Sequence, residues 1–257
     1  MYHLVFNKTM LSVTYPALPH RLVWFLAAEN YLATQPGEYL MLWQSRPTVI
    51  FGLHQDMHAE VNIPWCEAHG VEMYRRKSGG GCVYSDEGNL MISYIRKGDA
   101  TKAQHIFHEY IDKIASVLQE LGINAVTTAN NDVLAGGKKV SGNACYIVRC
   151  ATNESAVIVH GTLLLCSNLD NVTAALKPPQ EKLRRHAVAS VRQRVTNLQD
   201  LGLNDLEQIK TAVKERLSSG TYTLTEADIR QIDIIEQSYL NPDFIAGCTS
   251  AIEVIDR

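Results

Sequence analysis

Six cysteines are scattered through this sequence (Cys66, Cys82, Cys145, Cys150, Cys166 and Cys248), and no two of them form a C-x-x-C pair. That spacing argues against a structural zinc site or a disulfide framework. Most of them are expected to be buried small hydrophobes in a reducing compartment. Positive charge is not in excess either: 24 Lys and Arg stand against 27 Asp and Glu, a net charge of −3. Without a basic footprint, no nucleic-acid partner is expected. No apolar run approaches the length of a membrane span, so no membrane partner is expected. The opening stretch Met1 to Lys8 has no basic region leading into a long apolar core, so no signal peptide is evident and the expected location is the cytoplasm. Nor does any repeat, low-complexity run or linker divide the 257 residues, and residues 1–257 are expected to form one α/β domain.

What the chain does have is a glycine triplet. Gly79, Gly80 and Gly81 lie between Arg75-Arg76-Lys77-Ser78 and the alternating run Cys82-Val83-Tyr84-Ser85. Glycine lets another group approach the backbone closely. With two arginines at its start, such a loop suits an anionic or phosphorylated ligand held by N–H groups and guanidinium. A flexible turn between strands is the plainer alternative, because a glycine triplet alone has low specificity. Strand-like segments flank the triplet on both sides, Val71–Arg76 before it and Cys82–Tyr84 after it. It therefore opens no helix, and the Gly-Lys-Ser/Thr ending of a P-loop is missing, which disfavours the common nucleotide folds.

Periodicity predicts helices over Pro19–Ala33, Pro64–Gly70, Lys102–Leu121, Asn204–Leu217, opened by the capping box Asn204-Asp205-Leu206-Glu207, and Thr225–Tyr239. Strands are expected at Glu38–Trp43, Thr48–Gly52, Leu90–Ile95, Val126–Ala129 and Ser155–Leu165. His54–Asn62 reads as a polar loop, with His54 and His58 on the surface, and Asn241-Pro242 as the end of the last helix. A second informative stretch runs from Asn131-Asp132 through Gly136-Gly137, a hairpin turn, to Lys138-Lys139-Val140-Ser141-Gly142-Asn143-Ala144. Lys139, on a strand just before a glycine, can point at a ligand's negative charge or can simply be solvated. The third stretch, His160-Gly161, interrupts an apolar strand, so His160 marks a site or is a satisfied core histidine beside a bulge. Pro178–Arg194 is a local basic segment suited to an acidic partner or substrate.

Taken together and in order, three stretches resemble the lipoate–protein ligase A family within the biotin/lipoate ligase and octanoyltransferase superfamily. They are Arg75 to Tyr84 with Gly88-Asn89, Asn131 to Ala144, and His160-Gly161-Thr162-Leu163-Leu164. Leu42-Trp43-Gln44, Ser190-Val191-Arg192 and Val195-Thr196-Asn197-Leu198 support the match. The resemblance implies a large mixed β-sheet flanked by helices, similar to the biotin/lipoate ligase catalytic domain. It also implies ATP-dependent activation of lipoate to lipoyl-adenylate, then transfer of the lipoyl group to a lysine of an acceptor domain. Acceptors would be the E2 chains of 2-oxoacid dehydrogenases or the glycine-cleavage H protein.

By the same resemblance, Lys139 is the catalytic residue. It would sit where carboxylate, phosphate and acyl carbonyl converge and stabilise the charge developing there. Arg76, Gly79, Gly80, Gly81, Cys82, Val83, Tyr84, Asn89, Asn131, Ser141, Gly142, His160 and Thr162 would bind the adenylate. ATP use implies magnesium, and Asp132 is its nearest plausible ligand. Two departures stand out. Ser85 occupies a position that is commonly histidine in the family. The small C-terminal domain of full-length bacterial ligases is expected to be absent, and an accessory protein would then assist adenylation. Related carrier-to-carrier transferases use a cysteine thioester, for which Cys145 is the best thiol candidate. A non-catalytic lipoate-binding module is the third reading.

Overall fold

The structure is a computed structural model that describes residues 10–17, 20–128, 131–150, 154–177 and 194–247. Most of the basic segment, Pro178 to Gln193, lies outside the described residues, as do Pro19, Ala129, Ser190-Val191-Arg192 and Cys248.

Eight strands form the main sheet: β1 (Met10–Thr14), β2 (Glu38–Trp43), β6 (Asn89–Lys97), β7 (Ala125–Thr127), β8 (Asp132–Ala135), β9 (Lys138–Arg149), β10 (Ser155–Leu164) and β11 (Gly220–Thr223). Their order is β11-β1-β2-β6-β10-β9-β8-β7. The β11-β1-β2 end is parallel and the remainder antiparallel, which makes the sheet mixed, as expected. A second sheet of three strands has the order β4-β3-β5 and comprises β3 (Thr48–Phe51), β4 (Glu72–Arg75) and β5 (Val83–Ser85).

Side chains alternate across a strand, and the main sheet is covered on both faces. From β2, Tyr39, Met41 and Trp43 join a core with helix α1 (Leu22–Thr34) and the long C-terminal helix Glu226–Leu240. Leu40 and Leu42 join the opposite core, under α4 (Ala100–Glu120) and the helix Leu206–Leu217. Burial on both faces explains why β10 reads as a nearly unbroken apolar run. Gly136 and Gly137, both at positive φ, close the β8–β9 hairpin. No described helix is long and apolar enough to cross a membrane.

Some elements depart from expectation. His54–Asn62 contains one helical turn, α2 (Met57–Glu60), capped by the Asp56 carboxylate accepting from the His58 N–H at 2.9 Å. The short helix expected after it is present as α3 (Ile63–Ala68), whereas α5 (Leu169–Ala175), which follows β10, was not expected. The helix Glu226–Leu240 ends at Asn241-Pro242 as expected, but Pro242 then sits in the first turn of an unanticipated further helix (Pro242–Ala246), where its missing N–H costs nothing. Counting in chain order, Leu206–Leu217 is α6, Glu226–Leu240 is α7 and Pro242–Ala246 is α8.

Candidate active site

Between the small sheet and the α1 side of the main sheet lies a cavity of about 150 Å³. Leu26 of α1, Trp43 of β2, Ile50 of β3 and Met91 of β6 form its apolar end. The glycine loop contributes Gly80, Gly81, Cys82 and Val83, while β9 and β10 contribute Gly142, Ala144, His160 and Thr162. Across the sheet from Trp43 and Met91, beyond Thr162 and Gly142, lie the cations Lys139 and Arg194 on Asp132, while Arg76 lies against the Ile50 carbonyl; no carboxylate lines the wall among the described residues. Such a cavity takes a molecule that is apolar at one end and anionic at the other.

The glycine loop links β4 to β5, both of which pair with β3. It folds back until the carbonyl of Gly80 passes directly over Gly52, where any Cβ would collide with it, and Gly80 itself has φ +92°. Arg76, only 5% exposed, staples this shape. Its Nε donates to Ser78 Oγ at 2.9 Å, and its terminal nitrogens donate to the carbonyls of Ile50, Gly79 and Gly81 at 3.2, 2.7 and 2.8 Å. Burial pushes its pKa down to about 10, so the guanidinium stays charged near neutral pH. Three of its five donors hold the protein's own loop and a fourth ties it to β3.

Arg75 is spent elsewhere. It donates to the carbonyls of Gly52, Leu53 and Gln55 on one side and of Phe244 and Ile245 on the other, and it lies over the Phe51 ring. The expectation that both arginines address an anion is corrected: Arg75 ties helix α8 to the small sheet.

Lys139 reaches the cavity because β9 is bulged. Gly142 pairs with Asp132 and Ser141 with Val133, but Leu134 pairs with Lys139, so Val140 is an extra residue. The insertion moves Lys139 onto the face of Gly142 and Asp132, which is the cavity side. Its Nζ sits 2.6 Å from Asp132 Oδ1, and Arg194 reaches Asp132 Oδ2 at 2.9 Å. Burial pushes the Asp132 carboxyl up, but these two cations outweigh it and hold the pKa below the usual carboxylate value. Asp132 therefore orients two cations, Lys139 through Oδ1 and Arg194 through Oδ2. Among the described residues no group of three or more His, Cys, Asp or Glu could hold a metal.

His160 lines the cavity and is also a buried, hydrogen-bonded core histidine. Its Nε2 lies 2.7 Å from Ser78 Oγ and its Nδ1 3.0 Å from Glu29 Oε2. Glu29, wholly buried, also accepts from Ser93 Oγ at 2.5 Å, and Ser93 accepts from Trp43 Nε1 at 2.9 Å.

Of the residues expected to bind the adenylate, Arg76, Gly80, Gly81, Cys82, Val83, Asn131, Lys139, Gly142, His160 and Thr162 line the cavity, whereas Gly79, Tyr84, Asn89 and Ser141 do not. Tyr84 packs beneath the small sheet, its hydroxyl accepting from Asn171 at 3.3 Å. Asn89 is buried behind it, and Ser141 bonds Asn143 at 3.2 Å. Ser85 is also fully buried, within 3.0 Å of Ser45 Oγ, away from the cavity wall. Sequence reasoning missed Glu29, although a lone carboxylate inside the apolar helix LVWFLAAENYLA was a usable signal.

Residues 24–218 match the family model of the lipoyl protein ligase A/B catalytic domain. Lipoate–protein ligase 1 of Staphylococcus aureus is 38% identical over 218 residues, covering 81% of this chain and 64% of that protein. The chain thus spans just under two thirds of that relative. Among solved structures, the bi-partite lipoate protein ligase of Thermoplasma acidophilum superposes with a TM-score of 0.79 at 25% identity, over 93% of this chain and 96% of the other. A lipoate–protein ligase A solved with ATP superposes at 0.77, with 23% identity and coverage of 93% and 98%. With the family model spanning the cavity-forming elements and a relative this similar along four fifths of the chain, the protein belongs to the lipoyl protein ligase A/B catalytic-domain family.

Proposed function

We propose that this chain activates lipoate with ATP and transfers the lipoyl group to a lysine of an acceptor domain. One observation carries the reading: the cavity has an apolar end at Trp43, Leu26 and Met91 and a cationic end at Lys139 and Arg194. An acyl chain ending in a carboxylate, joined to a nucleotide phosphate, has that polarity. In the first step the lipoate carboxylate oxygen attacks the α-phosphorus of ATP and pyrophosphate leaves. In the second the acceptor amine attacks the acyl carbonyl, AMP leaves and an amide forms. Lys139 would face the oxygens that gain charge in both steps, as a cation held in place by Asp132.

ATP and lipoyl-domain acceptors are supported by the relatives, one solved with ATP and one studied with its E2 lipoyl domain. The bi-partite archaeal ligase likewise motivates a separate accessory subunit for the activation step. A cysteine-borne transferase is disfavoured: Cys145 packs on the α4 side of the sheet, and burial pushes its thiol pKa up, which makes a poor nucleophile.

The test incubates the purified chain with ATP, magnesium, lipoate and an apo H protein and weighs the acceptor by mass spectrometry. A lipoyl-mass increase is expected. Modification only from supplied lipoyl-adenylate would restrict the chain to transfer. ATP-independent transfer from an octanoyl carrier that is lost in Cys145→Ala would overturn the ligase reading.

A further inference from the structure

We propose that Glu29 and His160 are positioning residues: by fixing which imidazole nitrogen carries the proton, they pin Ser78 and, through it, the glycine loop over the cavity. With the imidazole taken as neutral, the hydrogen-bond network assigns every proton in the chain. Trp43 Nε1 can only donate, so Ser93 Oγ accepts from it and passes its own proton to Glu29 Oε1. Glu29 Oε2, an acceptor, takes the proton on His160 Nδ1. Nε2 of the neutral ring is then an acceptor, and Ser78 Oγ donates to it at 2.7 Å. Ser78 is free to do so because its lone pairs receive the Arg76 Nε–H, and its carbonyl accepts the Leu53 N–H at 3.0 Å.

The connected groups come from α1, β2, β6, β10 and the loop, and they converge on the residue immediately before the glycine triplet. Glu29 and Ser78 are both fully buried, and His160 is 8% exposed. A carboxylate wholly buried in an apolar helix is costly unless its charge directs something. Here it directs the hydroxyl that meets the Arg76 staple. The same arrangement fixes the tautomer of a histidine by a carboxylate in hydrolase triads. In this protein the serine is enclosed, so the outcome is a held loop.

The structural arms of the test are independent of the ligase reading; only the activity arm rests on it. In the wild-type protein, ¹⁵N NMR of the imidazole should show the Nδ1–H tautomer; an Nε2–H ring overturns the proposal. In Glu29→Gln the amide oxygen must face Ser93, locked within β6, which leaves the amide N–H toward His160. The ring proton should move to Nε2 and strand the Ser78 proton at the softer loop end. Exchange of the Leu53 amide and tryptic cleavage after Lys77 should then each accelerate about tenfold, the weight of one buried hydrogen bond. Exchange in β10 should stay unchanged. A retained Nδ1–H tautomer, or a switched tautomer with an undisturbed loop, overturns the role given to Glu29. Ser78→Ala provides a second variant free of a buried charge: unchanged Leu53 exchange there also overturns the proposal. In the ligation assay Glu29→Gln should raise KM for ATP while kcat at saturation is kept, because Lys139 is untouched.

Discussion

Replacing Asp132 by Asn tests the electrostatics of the site directly. Asp132 holds Lys139 at 2.6 Å and Arg194 at 2.9 Å, with side-chain exposures of 10% for the carboxylate and 21% and 20% for the cations. These groups are partly covered, so neither limiting value applies: exposed pairs contribute about 0.2–1 kcal/mol and breaking a fully buried one costs about 3–5 kcal/mol. For two pairs at this exposure the expected loss is about 2–3 kcal/mol, a fall in Tm of about 5–10 °C for a chain of this size. The sign with pH follows from the lowered Asp132 pKa. Because the folded value lies below the unfolded value of about 3.9, the stabilisation is fully present above that value. It is lost as pH falls through the lower folded pKa. Differential scanning calorimetry of wild type and variant should therefore show a full gap near neutral pH that closes below about pH 4. A gap that persists unchanged into that acid range, or no gap at neutrality, would refute the assignment of Asp132 as the counter-charge of both cations.

Three further substitutions separate chemistry, loop geometry and scaffold. Lys139→Met should lower kcat for lipoyl transfer by about 10²–10³ in a steady-state assay, with an unaltered far-UV spectrum; a full-rate enzyme would remove Lys139 from the mechanism. Gly52→Ala places a methyl group against the Gly80 carbonyl and should shift the loop, cutting kcat/KM about 100-fold, as a displacement of about 1 Å can. Arg75→Gln should cost about 3 kcal/mol in urea unfolding through its stranded carbonyl partners. Loss of ATP binding at unchanged stability would instead return Arg75 to the anion-binding role.

The order of elements was legible because the physical signals were strong. The glycine turn at Gly136-Gly137, the long amphipathic α4 and the apolar run of β10 each carry a period or a backbone requirement that few other structures satisfy. β1 and β11 were not anticipated. Gly220–Thr223 is a mostly exposed edge strand with no apolar alternation of its own, and it exists through parallel pairing with Leu11–Thr14. Such pairing is set by tertiary contacts rather than local propensity.

The site divides the same way. Motif residues were found where a glycine or a cation stands out along the chain, but the division of labour between Arg75 and Arg76 was not. Adjacent arginines look alike in sequence, and only the folded loop shows that one reaches the carbonyls of α8 and the other those of the glycine triplet. Tyr84 and Asn89 fall in a matching motif and yet sit behind the wall, because a motif records neighbourhood along the chain and not which face of a strand looks inward. Lys139 is the sharpest case. Unbroken alternation would put it on the face of Ser141 and Asn143, opposite Gly142. The single unpaired residue Val140 reverses that. A one-residue change of register flips a side chain across the sheet, and here it carries the proposed catalytic cation from the α4 side to the cavity. The sequence supplies the lysine, while the bulge decides what it faces.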